Sequence, residues 1–193
     1  FETYECEPVE IGLELGKLRD LLTLAGPSDL VEIDYDDAVG AVNVRVGQVH
    51  RILRGLDTNS MSDPKLPVLD FNCSATIDAE KLSRSLRAAK FVGELVDLSI
   101  DSKELRVSVT VEAGEGVNVS FESGELSELT CPSPTQGTYS LQFLDPLTRK
   151  LASGLASDVQ VRFQDKFPLR LDWNSNDGGA SWTYFLAPRV TND

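Results

Sequence analysis

Apolar residues recur at the spacing of a helix face in three stretches of this chain and alternate with polar ones through much of the remainder. Leu15, Leu18, Leu21, Leu22 and Ala25 predict a helix over 13–25, stopped by Gly26-Pro27-Ser28-Asp29. Three alternating runs follow, 30–34, 41–46 and 48–54, and read as strands joined by turns rich in Asp and Gly. The same order returns near the C-terminus. Leu141, Leu144, Leu147 and Leu151 mark a helix over 141–153, and the runs 159–163, 169–173 and 181–186 mark three strands, the last two separated by Asn176-Asp177-Gly178-Gly179. Ser28-Asp29 and Ser157-Asp158 hold matching places in the two copies. A third copy lies between them, with a helix at 79–91 and strands at 95–100, 105–111 and 117–122. One helix-plus-hairpins unit is used three times, which predicts an α+β fold of antiparallel sheets.

The alternation is lost over 59–70, where Pro64 and Pro67 mark an extended linker. Leu66, Val68 and Leu69 gather at its far end, either against their own domain or as a surface for a partner.

Composition narrows the classes. With 193 residues, 41% of them hydrophobic, the chain can fill a core, which excludes a disordered tract or a disulfide-dense mini-protein. No apolar run has the length of a membrane span and no basic-then-apolar leader opens the chain, so we expect a cytoplasmic protein with no membrane partner. Cys6, Cys73 and Cys131 are odd in number and widely spaced, which predicts unpaired thiols in a reducing compartment. The single histidine, His50, sits in a strand-like run, so neither a structural metal nor histidine-dependent catalysis is expected, and no cofactor motif is present. Asp36-Asp37 falls in a turn, where Asp serves the backbone; an acid-base or magnesium-binding pair is the weaker account. Asn72 and Asn118 begin Asn-x-Ser matches that mean little without a leader.

Charge is the most informative quantity. The 31 acidic against 18 basic residues give a net −13, which disfavours a polyanionic partner unless the basic residues cluster. They do: the second helix carries Lys81, Arg84, Arg87 and Lys90, with no acidic residue among them, while Leu82, Leu86 and Ala89 face the other way. Such a run also fits an ordinary solvated face. In so acidic a chain a duplex backbone is the partner that rewards it, through counterion release. Lys17 and Arg19 on the first helix, and Arg149 and Lys150 on the third, repeat the signal weakly. No base-reading set, no interleaved aromatics for stacking single strands and no phosphate-cradling glycine loop accompany the charge, so sequence-independent binding is expected.

The repeated unit, the basic helices, the linker with Leu66-Pro67-Val68-Leu69-Asp70, the run Phe167-Pro168-Leu169-Arg170-Leu171 and the ending Tyr184-Phe185-Leu186-Ala187-Pro188-Arg189-Val190 together resemble the proliferating cell nuclear antigen family of DNA sliding clamps. The acidic members from salt-loving archaea are the most similar. Phe1-Glu2-Thr3-Tyr4-Glu5 and Ser28-Asp29 also fall where the resemblance expects them, and it covers essentially the whole chain. It implies a non-catalytic homotrimeric ring, associated with the nucleoid, that encircles double-stranded DNA and tethers DNA polymerase, ligase, nuclease and clamp loader.

Within that resemblance, residues 1–58 are a partial first clamp domain, 59–70 the interdomain connecting loop and 71–193 the second domain. Arg84, Arg87 and Arg149 match DNA-facing positions; helical geometry adds Lys81 and Lys90, and Lys150 joins them as the weaker repeat of the charge signal on the third helix. Two family basic positions on the first helix are here Asp20 and Thr23, for which Lys17 and Arg19 stand as substitutes. Leu66, Pro67, Leu69, Pro168, Ala187, Pro188 and Val190 match an apolar pocket for a short partner peptide with aromatic anchors. Subunit closure is expected between the strand edges at 48–56 and 116–123, with Arg51 and Arg54 facing Glu122 and Glu125; solvated edge charges are the other reading. A family member has four helix-plus-hairpins units and this chain has three. The missing unit belongs ahead of residue 1: either this chain omits it or the clamp is a shortened one, and omission is the expectation because the helix at 13–25 and a sheet edge are otherwise uncovered. An acidic protein-protein interaction module without DNA encirclement is the alternative, and it is separated from the clamp by whether the basic helices share an axis.

Overall fold

The computed structural model describes residues 2–60, 69–111 and 114–189. The chain divides into two compact units, Phe1–Pro67 and Val68–Asp193.

Unit 1 holds α1 (Leu15–Leu22) and a three-stranded antiparallel meander of β1 (Val31–Asp36), β2 (Ala41–Val46) and β3 (Val49–Arg54), with β2 central. The β2/β3 turn is tight. Val46 pairs with Val49, and Gly47 has φ +55°, a backbone state that costs glycine little. Leu21, Val42, Val44, Val46 and Leu53 form a small core. The helix is shorter than the expected 13–25; Leu21 is its buried residue, Leu18 and, beyond its end, Ala25 are half-buried, whereas Leu15 is 75% exposed and Leu22 is also exposed. Apolar spacing marks which residues could share a face, and one small sheet covers only part of that face. Asp36 accepts hydrogen bonds from the N–H groups of Ala38 (3.1 Å) and Val39 (3.3 Å), so the Asp36-Asp37 pair belongs to a turn, as expected.

Unit 2 contains two copies of a β-α-β-β-β order. The first runs β4 (Ser74–Asp78), α2 (Ala79–Lys90), β5 (Leu95–Ile100), β6 (Glu104–Thr110) and β7 (Gly116–Glu122), followed by the short β8 (Glu128–Thr130). The second runs β9 (Thr135–Ser140), α3 (Leu141–Lys150), β10 (Asp158–Arg162), β11 (Leu169–Asn174) and β12 (Ser181–Leu186). Helices and hairpins match the expectation; β4, β8 and β9 are additional. The leading strand of each copy enters the other copy's sheet. β4 pairs with β10 in the sheet β12-β11-β10-β4-β8, and β9 pairs with β5 in the sheet β7-β6-β5-β9. Alternation along the strands buries Val96, Leu98 and Ile100, Leu105, Val107 and Val109, and Val159 and Val161 in one core with the inner faces of α2 and α3.

Cysteine pairing departs from expectation. Cys73 and Cys131 are joined by a disulfide, and only Cys6 remains a free, exposed thiol among the described residues. The β4/β8 ladder ends with Ser74 opposite Thr130, which brings the next residue on each strand face to face across 58 positions of sequence.

Candidate nucleic-acid interface and docking surface

α2 starts cleanly because the Asp78 carboxylate caps it, accepting from the Lys81 N–H at 2.9 Å. Leu82, Leu86 and Ala89 point inward and are buried, which leaves Glu80, Arg84, Arg87 and Phe91 at four- and three-residue steps along one outward stripe. α3 lies antiparallel to it. The Leu141 N–H donates to the Glu94 carbonyl just past the end of α2, and the Ala79 N–H donates to the Ser157 carbonyl past the end of α3, at 2.9 and 2.8 Å. The two helices therefore present their outer faces side by side, with Arg149 and Lys150 exposed on α3.

The basic residues are not equivalent. Among the described residues Arg84, Arg87 and Lys150 form no ion pair, whereas Lys81 lies 3.8 Å from Glu125 and Lys90 is paired with Glu94. Arg149 is held at 2.6 Å by Asp145, whose carboxylate is buried on α3 with its Oδ1 unpartnered. In unit 1, Lys17 pairs with Glu14 (2.6 Å) and Arg19 with Asp20 (3.0 Å), so the first helix offers little free positive charge. Two exposed aromatic rings border the basic residues without interleaving with them. Phe91, 81% exposed, shares the Arg84/Arg87 stripe, and the half-exposed Phe143 stands at the adjoining end of α3. Both were hidden in the sequence because apolar spacing assigns a phenylalanine to the core by default.

Of the docking residues, Leu66, Pro67 and Val190 lie outside the described residues. Leu69, Pro168 and Pro188 are partly buried and Ala187 is exposed. The C-terminal segment is fixed to unit 2 by the Arg189 N–H, which donates to the Thr138 carbonyl of β9 at 2.8 Å. Pro168 is fixed through its neighbour: the Phe167 ring meets Phe71 edge-on at 6.3 Å, and its carbonyl accepts from the Tyr139 hydroxyl at 3.3 Å. Burial, and then the Asp165 charge, push the Tyr139 phenol well above its ordinary range, so it stays a donor. A concavity of about 500 Å³ on the outer sheet of unit 2 has a mixed lining, with Ile100 and Pro134 among Ser99, Asp101, Glu104, Arg106, Thr135, Gln136 and Asp165.

The strands named for closure are both sheet edges, β3 in unit 1 and β7 in unit 2. Arg51 and Arg54 are exposed and without an ion pair among the described residues. Glu122 and Glu125 are exposed, and Glu125 accepts from the Glu122 N–H at 3.2 Å in a reciprocal cap, which partly engages it within the chain. Among the described residues no group of His, Cys, Asp and Glu is arranged to hold a metal ion, and no helix is long and apolar enough to cross a membrane.

No protein-family model matches the chain. Among curated proteins it is 26% identical to the DNA polymerase sliding clamp of Haloarcula marismortui over 195 aligned residues, which cover all of this chain and 78% of that protein. It is 24% identical to the DNA polymerase sliding clamp of Halobacterium salinarum, covering 98% and 76%. Among solved structures, PCNA from Thermococcus kodakaraensis superposes with a TM-score of 0.82 at 22% identity, covering 98% of this chain and 77% of that one. PCNA from A. fulgidus, bound to the C-terminal region of FEN-1, gives 0.81 at 21%, covering 93% and 71%. With the crossed β-α-β-β-β copies and the paired outward helices, the chain is similar in sequence and fold to DNA polymerase sliding clamps.

Proposed function

We propose that the protein is a sliding clamp that closes with two further copies into a ring around duplex DNA, reads no sequence, catalyses no reaction and tethers replication and repair enzymes. The observation that carries this is the antiparallel α2/α3 pair, which turns Arg84, Arg87 and Lys150 outward without ion-pair partners on a chain of net charge −13. Such a face rewards a polyanion, and the acidic remainder confines contact to it. The other basic candidates, Lys17, Arg19, Lys81, Lys90 and Arg149, are tied to carboxylates and contribute second. In this reading residues 1–58 are the first, partial domain, 59–70 the connecting loop and 71–193 the second domain, in a protein working at the nucleoid in the cytoplasm.

Closure runs β3 to β7, head to tail, so that rotation closes a ring. Arg51 and Arg54 face Glu122 of the next copy, with Glu125 shared between that joint and Lys81. Reversing Arg51 and Arg54 to Glu is expected to convert rings to monomers in a sizing experiment, and unchanged elution rejects the joint. Leu69, Pro168, Ala187 and Pro188, together with Leu66, Pro67 and Val190, form the docking surface for partner peptides. The A. fulgidus neighbour bound to FEN-1 supports a nuclease among the partners, and the relatives named as polymerase clamps support a polymerase. Ligase and clamp loader take the same surface.

Acidic surfaces suit solubility in concentrated salt, where the Debye length is about 3 Å at 1 M and phosphate attraction is weak. Retention therefore depends on topology. Loaded on a closed DNA circle the protein is expected to stay bound in molar salt and to leave once the circle is cut. Equal loss from circular and linear DNA rejects encirclement.

A further inference from the structure

We propose that Cys73 and Cys131 are a reversible redox site, closed as a disulfide and opened by a dithiol, that sets how firmly the chain entering unit 2 is held to its sheet. The two residues stand opposite each other one step beyond the β4/β8 ladder, with Cα atoms 4.3 Å apart, and both are buried within the main core. The surroundings suit either oxidation state. The Ser133 carbonyl lies 3.2 Å from Cys73 Sγ and 3.0 Å from Cys131 Sγ, and the Ile100 carbonyl lies 3.5 Å from the latter. Each thiol of the open form thus has an acceptor in place, and opening strands no buried donor.

Access and consequence lie on opposite sides of the bond. β8 is a three-residue edge strand that pairs with β4 alone, and Glu128 and Thr130 on it are exposed, so fraying of β8 delivers Cys131 to an attacking thiolate. Cys73 follows Phe71 by two residues, and Phe71 rests against Phe167, the neighbour of Pro168. Closing the bond restrains the backbone from Leu69 to Cys73 beside the docking surface. Opening consumes one dithiol: the protein S–S bond breaks, two S–H bonds form on the protein, and the dithiol yields two electrons and two protons as it becomes a disulfide. Closing is the reverse, with a small-molecule or protein disulfide as the oxidant. The effect on partners rests on the docking reading above, whereas the redox chemistry does not.

Three measurements test it. Protein purified without reductant and unfolded in denaturant is expected to show one titratable thiol per chain, that of Cys6; three thiols overturn the proposal. In a Cys6→Ser background, dithiothreitol is expected to speed amide exchange about fivefold or more at 69–73 and 128–131, reversibly on reoxidation. No change overturns it, as does a dithiothreitol response that persists in Cys73→Ser/Cys131→Ser. A peptide from the FEN-1 C-terminal region is expected to bind about threefold more weakly after reduction, a loss in line with ordering costs at an interface. Equal binding in both states overturns the link to docking. Exchange that responds while the peptide binds in neither state supports the redox site and overturns the docking reading instead.

Discussion

In unit 2 the strand ahead of each helix crosses into the other copy's sheet, β4 onto β10 and β9 onto β5. In unit 1 the residues ahead of α1 pair only through one isolated bridge, Gly12 with Leu56, just past the end of β3. The local recipe of helix followed by hairpins is the same, and the degree of closure is not. The exchanged strands of unit 2 place two sheets against two helices, and Val96, Val107, Leu141, Val159 and Phe163 lose all contact with water. Unit 1 buries Val44 as completely, yet Leu15, Leu24, Leu30, Ile33 and Ile52 are each more than half exposed. What seals a core in this fold is the second copy, so an identical apolar pattern has a different energetic meaning in the two places.

The largest expected effect separates the units by stability. Phe163 is fully buried and meets the Tyr139 ring edge-on at 6.2 Å. Phe163→Ala is expected to cost about 3–5 kcal/mol, the range for truncating a buried phenylalanine. Leu15→Ala also truncates an apolar side chain, a smaller one, from the same kind of pattern but at an exposed site, and is expected to cost less than about 0.5 kcal/mol. Urea unfolding followed by tryptophan fluorescence reads the first change, since Trp173 and Trp182 both belong to unit 2, and circular dichroism reads the second. Similar costs at the two sites break the contrast.

A second, smaller effect separates the helices by charge. α1 spends Lys17 and Arg19 on neighbouring carboxylates, whereas α2 leaves Arg84 and Arg87 free. Replacing Arg84 and Arg87 with Gln is expected to lower the slope of log affinity against log salt by about 2, since each phosphate contact contributes about 0.9. The matching change of Lys17 and Arg19 is expected to move it by less than half as much. Equal shifts in a filter-binding titration at low salt remove the distinction.

The same contrast explains what was legible in the sequence. α2 was plain because Leu82, Leu86 and Ala89 alternate with basic residues at helical steps, and β10 to β12 because their apolar residues alternate and an Asn-Asp-Gly-Gly turn divides the last two. β9 was not, since Thr135-Gln136-Gly137-Thr138-Tyr139-Ser140 buries one large side chain, Tyr139, and otherwise reads as a loop. β8 is three residues with one apolar member. These strands are defined by the partner they pair with, β9 across the copies and β8 at long range within its own, and such pairing leaves no local mark. The disulfide was missed for the same reason, because the contact of Cys73 with Cys131 follows only once β4 is laid against β8. At the candidate interface, sequence located every basic residue but not which were already neutralised. That depends on carboxylates such as Glu125, brought to Lys81 by the fold rather than by spacing.

The smallest effect concerns how unit 2 keeps its hairpins in register as acid removes charge. Asp177, in the turn between β11 and β12, accepts from the Ser175 hydroxyl at 2.6 Å and from the Gly179 N–H at 2.9 Å, which holds its carboxyl below the usual carboxylate range. Asp101, between β5 and β6, is lowered likewise by the N–H groups of Lys103 (2.7 Å) and Glu104 (3.0 Å). A carboxyl whose folded pKa lies below its unfolded one favours the folded state above the unfolded pKa of about 4, and that contribution fades as pH falls through the folded value. Asp177→Asn keeps an acceptor for the turn while removing the titration. The variant is therefore expected to be slightly less stable than the parent at neutral pH, and to lose less of its urea midpoint between about pH 6 and pH 3. Because the group is exposed, the difference is small and needs paired titrations of parent and variant. A variant whose midpoint falls with pH as steeply as the parent's shows that the Asp177 carboxylate does not hold this hairpin, and leaves the crossed strands as the source of its register.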